Sequence, residues 1–402
     1  MKSDFSDSAM RGIRGGTPAM QRTRPDSVRR AVARIRQLSC LGLGGEAAVP
    51  EILRELHGLV PAGSNIFAWA GAGGEISNVY TEHPGWVHMG PLYFAEFYER
   101  REREVILTFS ESMRLRDGPA VRHVDSFLKV DRREFLRSSM FNEILRKVND
   151  YQRLFVTVRE GVRGLGGMLL GRGQHDPPFT GDEAKRLELI VPLIAHALAP
   201  RGNLDVELAD TDDEGLIVAG LDGKILQLSS QAERLLLLAC YPQCSPGALA
   251  CDAGHFVLPP PVVRICRNLV RAFKERLAED IGEELAPPVW RHRNVWGGFT
   301  FRAYWLPAAR GAPPLLGVTV HRQEPLPLRF LRRMGDLPLS AREGEACLLL
   351  LAGHSRPTIA ERLGVSQHTA IGHVRNIYAK LNVRNRAELA AKVLSKENVF
   401  RM

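Results

Sequence analysis

Residues 339–383 read LSAREGEACLLLLAGHSRPTIAERLGVSQHTAIGHVRNIYAKLNV, and this stretch decides the fold of the last part of the chain. Ser340 with Glu343 three residues on forms a capping box, in which each side chain can satisfy a backbone N–H of a starting helix. Apolar Ala346, Leu349 and Leu350 then recur at helical spacing, and Gly353 supplies the stop. A short second helix begins around Pro357, whose fixed φ suits a first turn. Leu363-Gly364-Val365-Ser366 is a tight turn: the glycine permits positive φ and Ser366 caps the next helix. In that third helix Ala370, Val374, Ile377 and Leu381 form one inner stripe. Its outer face carries Gln367, His368, Ile371, Gly372, Arg375 and Asn376, with Thr369 in the first turn and Lys380 near the end. A last amphipathic helix is expected from Arg386 to Lys396. A helix with an apolar inner face and a small, polar or cationic outer face suits the major groove of DNA.

Charge agrees with that reading. The chain of 402 residues has a net charge of +9. Residues 326–402 hold thirteen Lys/Arg against six Asp/Glu, and residues 1–36 hold nine against three, so the body between them is slightly acidic. Basic ends fit a polyanionic partner. The Gly-, Ser-, Pro- and Arg-rich residues 1–25 read as a disordered basic tail.

The tail motifs resemble the LuxR/FixJ family of four-helix DNA-binding domains. The resemblance spans 337–395 and rests on Leu339-Ser340, Arg342-Glu343, Gly353, Ile359-Ala360, Leu363, Val365-Ser366, Thr369, His373, Ile377, Lys380-Leu381, Val383, Arg386 and Leu389. Where the family usually has Lys-Glu before Ile359, this chain has Pro357-Thr358; where it has Thr-Val-Lys, this chain has Thr369-Ala370-Ile371. The missing lysine shifts base readout toward Arg375, which can grip guanine O6 and N7. Gln367, His368, Thr369 and Asn376 are expected to position the helix on phosphates. Ile371 offers apolar contact and Gly372 close approach, while Lys380 completes the expected DNA-binding set. Dimerisation is expected through the last helix, on Leu389 and Val393, with packing of these residues inward on the preceding helices as the alternative.

Upstream, the fold class reads as multidomain α+β. SVRRAVARIRQLSCLGL and AAVPEILRELHGLV look helical; NIFAWAG, EISNVYT, LFVTVREG and LGGMLLGRG look like strands. After Pro177-Pro178, Thr180 or Asp182 can cap a long helix carrying Leu187, Ile190, Val191, Ile194 and Leu198 on one face. That order resembles a GAF-type sensor domain over 26–200. Trp69, Tyr80, Trp86 and Tyr93, with Phe94 and Tyr98, are candidates to line a small-molecule pocket there, or equally to be ordinary core. A linker follows at Pro200-Arg201-Gly202-Asn203. GLIVAGLDGKILQLSS then gives strand, Asp222-Gly223 turn and strand, followed by the helix QAERLLLLA and the strand-like runs GGFTFRAYWLP and PLLGVTVHRQ. Residues 208–322 resemble a PAS domain, and another linker is expected around Arg322–Leu328. The helix-turn-helix domain occupies 335–398.

The sequence also excludes. Six scattered cysteines, at 40, 240, 244, 251, 266 and 347, suggest reduced thiols rather than a disulfide framework. Cys240, Cys244, Cys251 and His255 are the one constellation with metal-ligand chemistry, but it lacks the close two-residue knuckle, so no metal is expected. No phosphate-binding glycine loop is present, and Asp212-Asp213 precedes a strand where a phosphoacceptor pair would follow one. No serine elbow or Cys/His pairing marks an enzyme. No 18-residue apolar run or secretory leader is found, so no membrane partner and a cytoplasmic location are expected. The reading is a one-component regulator: a dimer that binds double-stranded DNA, takes a small-molecule ligand in its sensor domains, and has a cofactor requirement that stays unknown. The alternative is a protein-interaction adaptor with a degenerate helix-turn-helix.

Overall fold

The computed structural model describes residues 25–199, 207–251, 257–279, 286–308, 313–334 and 337–394. Helices α1 (Pro25–Leu41) and α2 (Gly45–Leu56) lead into strands β1 (Ser64–Ala70) and β2 (Ile76–Thr81). Residues 84–148 then form short pieces: α3 (Pro84–Leu92) continuing as a π-helical turn at Tyr93–Phe97, α4 (Phe109–Arg114), β3 (Val121–His123), α5 (Arg132–Arg137) and a second π-helical turn at Met140–Leu145. Strands β4 (Gln152–Glu160) and β5 (Arg163–Arg172) and helix α6 (Gly181–Leu198) complete the first unit. Its antiparallel sheet has the order β2-β1-β5-β4-β3. Alternation sorts the strand residues into two faces. Phe67, Leu154, Val156, Met168 and Leu170 pack on Ile35 of α1, Leu53 of α2 and Ile190 of α6. Ile66, Ala68, Phe155 and Leu169 face the irregular 84–148 segment. Thr180, not Asp182, caps α6: its Oγ1 accepts from the Glu183 N–H at 3.3 Å, and Glu183 Oε2 accepts from the Thr180 N–H at 2.8 Å.

The second unit runs β6 (Leu208–Ala219), β7 (Ile225–Leu228), α7 (Ser230–Cys240), α8 (Pro246–Cys251), α9 (Pro260–Glu279), β8 (Val289–Asn294), β9 (Gly297–Leu306) and β10 (Leu315–Pro325). Its sheet order, β7-β6-β10-β9-β8, is again second, first, fifth, fourth, third. The β6–β7 turn contains Asp222-Gly223, with Gly223 at φ +85°, a conformation that costs other residues dearly. Asp212-Asp213 lies inside β6 rather than ahead of a strand.

The linker expected around 322–328 is instead structured. Strand β10 continues to Pro325, and α10 (Leu326–Arg333) starts at once, with Pro327 in a first turn where its missing N–H leaves no bond unmade. Four helices close the chain: α11 (Ala341–Leu351), α12 (Arg356–Leu363), α13 (Gln367–Leu381) and α14 (Arg386–Leu394). Leu389 and Val393 are 0% and 1% exposed and belong to the core that α14 shares with α10 and α11. The expectation that they form a dimer face is therefore corrected: they already cover this chain's own apolar surface.

Residues 1–24, the 200–203 linker and 395–398 fall outside the described residues. Among those described, Cys40, Cys240, Cys244, Cys266 and Cys347 are free thiols. No three metal-ligating side chains gather among them. Burial pushes the Cys244 thiol up to about 12, while His255 and the Cys251 side chain lie outside the described set. No helix among the described residues is long and apolar enough to cross a membrane.

Candidate nucleic-acid interface and cavity

The tail builds its outer helix from local rules. Ser340 and Glu343 form the expected reciprocal cap of α11. Gly364 ends α12 at φ +63°, the left-handed turn that a side chain would strain by about 1 kcal/mol. Ser366 then caps α13, its Oγ accepting from the Thr369 N–H at 3.1 Å. The turn sets α13 so that Ala370, Val374, Ile377 and Leu381 are buried. Gln367, His368, Thr369, Ile371, Arg375 and Asn376 are exposed together, and Gly372 is half-buried between them. Ile371, at 44% exposed, is an apolar side chain left uncovered by the described residues. The Thr369 hydroxyl lies 2.9 Å from Ser366 Oγ, so part of its hydrogen-bonding capacity serves the cap. The positive end of the α13 dipole coincides with Gln367, His368 and Thr369, where phosphates are stabilised.

Lys380, expected among the DNA-binding set, also makes an ion pair within the tail. Its Nζ lies 2.7 Å from Glu343 Oε2, tying the last turn of α13 to the first turn of α11. Lys380 and the Ser340 cap hold the Glu343 carboxyl down to about 2. Exposed Arg356, at the start of α12, and Arg384, just before α14, add cations to the domain surface. Sequence periodicity on α13 alone did not single them out.

The tail is docked on the first unit through α11 and α12. Arg36 of α1 pairs with Glu345 of α11 at 3.1 Å, and Arg362 donates to the carbonyls of Cys40 and Leu41 at 3.1 and 3.3 Å. Arg332 of α10 joins all three parts. It meets Glu324 of β10 at 2.6 Å and Glu51 of α2 at 2.7 Å, and both acids are 2% exposed.

The first sheet's other face lines a partly open cavity of about 170 Å³. Tyr80, Trp86, Tyr93 and Phe94 line it; Trp69 does not. Trp69 packs its ring edge-on to Phe67 and Trp296, at 4.8 and 5.9 Å between centroids. The second unit supplies Arg234, Leu237, Leu238, Cys244 and Leu249 to the cavity wall. Hydrogen bonds seal this seam: Arg234 donates to Tyr80 OH at 3.2 Å, and the Cys244 N–H donates to Asn78 Oδ1 at 2.8 Å. Glu102 and Arg153 also reach the cavity. Glu102 accepts from Tyr93 OH at 2.7 Å and from the Glu99 N–H at 2.9 Å, and burial pushes its carboxyl up to about 7. Behind the sheet edge, burial raises Asp150 to about 7 as well, against the attraction of Arg153. Neither Glu102 nor Arg153 carried a sequence signal, because one lies in a run of surface-like charges and the other is a lone arginine in a strand.

Comparison with known proteins places the tail. Residues 337–393 match the family model of bacterial regulatory proteins, luxR family. The HTH-type transcriptional regulator MalT of Vibrio campbellii is 37% identical over 65 residues, as is that of Vibrio parahaemolyticus. The match covers 16% of this chain and only 7% of the length of those relatives. Among solved structures, a Vibrio cholera VqmA–ligand–DNA complex is 16% identical, covering 46% of this chain and 84% of that one, with a TM-score of 0.20. A phage VqmA–DPO complex is 19% identical over 48% of this chain and 86% of that one, with a TM-score of 0.17. At such scores these structures do not define the upstream units. Residues 337–393 are a LuxR-family helix-turn-helix domain.

Proposed function

We propose that this chain is a one-component DNA-binding transcriptional regulator, in which a GAF-like first unit and a PAS-like second unit bias a C-terminal helix-turn-helix that acts as a homodimer on double-stranded DNA. The observation that carries it is the exposed face of α13: Gln367, His368, Thr369, Ile371, Arg375 and Asn376 stand free on a domain that is docked on α1 through α11. An adaptor would have no reason to present an apolar side chain, a glycine and a cation in that order on an exposed helix of a net-basic domain. The repeated sheet order of the two upstream units supports reading them as related sensor modules, and the apolar cavity supports ligand sensing by the first. A ligand that changes the fit between the units would act on the tail through Arg332 and α1, the contacts that hold it.

Selection from a random pool of duplex DNA tests this reading. The full chain should enrich a defined motif, with two related half-sites if it binds as a dimer. A pool that stays unenriched after repeated rounds, while the chain captures a protein partner, would replace the regulator with the adaptor.

A further inference from the structure

The cavity lining is mostly apolar, and two of its side chains carry buried donors with nothing to donate to. Trp86 is 9% exposed, and its indole Nε1 is buried with no hydrogen-bond partner. Arg153 Nη2 is likewise buried and unpartnered, and no ion pair holds its guanidinium among the described residues. Both side chains line the cavity. Glu102 accepts from Tyr93 and Glu99 and makes no hydrogen bond to either donor. Buried donors left unmade cost folding free energy, and although the buried Asp150 carboxyl attracts Arg153 it accepts no hydrogen bond from it, so a cavity lined by these two side chains offers an incoming acceptor two unmade bonds. One of the two is a cation, and an anionic oxygen satisfies it best.

Size and walls narrow the ligand further. An apolar cavity of about 150 Å³ holds one benzene ring, so the observed volume admits a single ring with a small substituent. The rings of Phe94, Phe127 and Phe155 join those of Trp86 and Tyr93 around it, a lining suited to edge-on and offset contact with a flat molecule. We propose that this cavity binds a one-ring aromatic carboxylate, with Arg153 as the partner of its anionic oxygen, Trp86 Nε1 as a second donor, and Leu237, Leu238 and Leu249 of the second unit as its roof. The proposal deepens the sensor reading and rests on it for its regulatory meaning. Because the roof belongs to a different unit from the floor, the bound ring stabilises the docked arrangement of the two.

Benzoate is the probe, with ethylbenzene as its uncharged apolar counterpart. Calorimetric titration and thermal shift on the full chain should show benzoate binding that exceeds ethylbenzene binding. Arg153→Gln should weaken benzoate about 10- to 100-fold, the loss of one charge-assisted hydrogen bond, and leave ethylbenzene unchanged. Trp86→Phe keeps a ring and removes the N–H, and should weaken benzoate about 3- to 10-fold. Benzoate should also slow hydrogen exchange in α7 and α8. Equal affinity for the two probes, no benzoate binding at millimolar concentration, or undiminished benzoate binding by both variants would overturn the proposal. The comparison of probes needs no variant, so a misfolded Arg153→Gln chain leaves it decidable. None of these readouts uses DNA, so their failure would leave the DNA-binding reading standing, and a chain that binds benzoate but no DNA would fail the regulator alone.

Discussion

Replacing Lys380 by methionine separates a structural lysine from a DNA-contacting one. The aliphatic stem survives and the ammonium is lost. In the folded chain Glu343 is held at about 2, against an ordinary value of 4.5, by Lys380 first and then by the Ser340 backbone and hydroxyl. Such a gap corresponds to about 3 kcal/mol shared among those partners. Giving Lys380 about half, and discounting because its side chain is 44% exposed to screening water, leaves about 1 kcal/mol. Amide exchange in the first turn of α11 and the last turn of α13 should therefore speed up about fivefold in Lys380→Met at neutral pH. The sign of the pH dependence is fixed by the depressed value. The stabilisation is fully present above about 4.5 and is lost as pH falls from there toward about 2, so wild type and variant should converge in acid. Hydrogen exchange measured by mass spectrometry on both full chains reads this directly. Unchanged exchange, together with a salt dependence of DNA binding reduced by about one phosphate contact, would make Lys380 a phosphate anchor and refute the structural role.

Other expectations rest on burial and charge. Leu389→Ala empties space in a fully buried site and should destabilise the tail by about 2–4 kcal/mol, seen as faster exchange across α10, α11 and α14. Its association state by sedimentation should not change; a chain that stays folded but becomes monomeric would restore α14 as a dimer surface. Arg332→Met leaves Glu324 buried without its cation and Glu51 with Arg54 alone, and should loosen the α10 junction by about 3 kcal/mol, read as protease cleavage within 326–340; a resistant junction would show that the Arg332 ion pairs are dispensable. Asp150 is raised from 3.8 to about 7, so the folded state holds its proton longer than the unfolded state, and stability should fall as pH rises through that window. Asp150→Asn should flatten that slope in thermal melts of the full chain, and an unaltered slope would place the ionisable group elsewhere.

What was legible in the sequence was local. The Ser340–Glu343 cap, the Gly364–Ser366 turn, the Thr180–Glu183 cap and the Asp222-Gly223 hairpin each depend on residues within a few positions of one another, and each is present. The buried stripe of α13 was legible for the same reason, because one helical period fixes which side chains share a face. The unread parts depend on distant partners. Strand β8, Val-Trp-Arg-His-Arg-Asn, exposes every second residue and half-buries the rest, so it lacks the apolar alternation that announces a strand. Lys380 meets an acid 37 positions away, and nothing around Lys380 signals it. Reading Arg322–Leu328 as a linker hid α10, and without α10 the apolar side chains of α14 had no visible cover. The cavity was half legible: aromatic residues announced it, but Trp69 proved to be interface packing and the two unpartnered donors were invisible. Burial is a property of the assembled sheet and its roof, and composition does not encode it.

The central claim is that the exposed face of α13 reads DNA, and Arg375 is where that claim is sharpest, since its side chain is exposed and no ion pair engages it among the described residues. The most direct test is the affinity of the full chain and of Arg375→Ala for a selected DNA sequence and for a scrambled one, each over a series of salt concentrations. Wild-type affinity should fall steeply with salt on both DNAs, with the selected sequence held more tightly throughout. Arg375→Ala should lose about 1–3 kcal/mol on the selected sequence, largely erasing the difference between the two DNAs. Equal losses on both would make Arg375 a phosphate contact, and binding that ignores both salt and Arg375 would contradict the account.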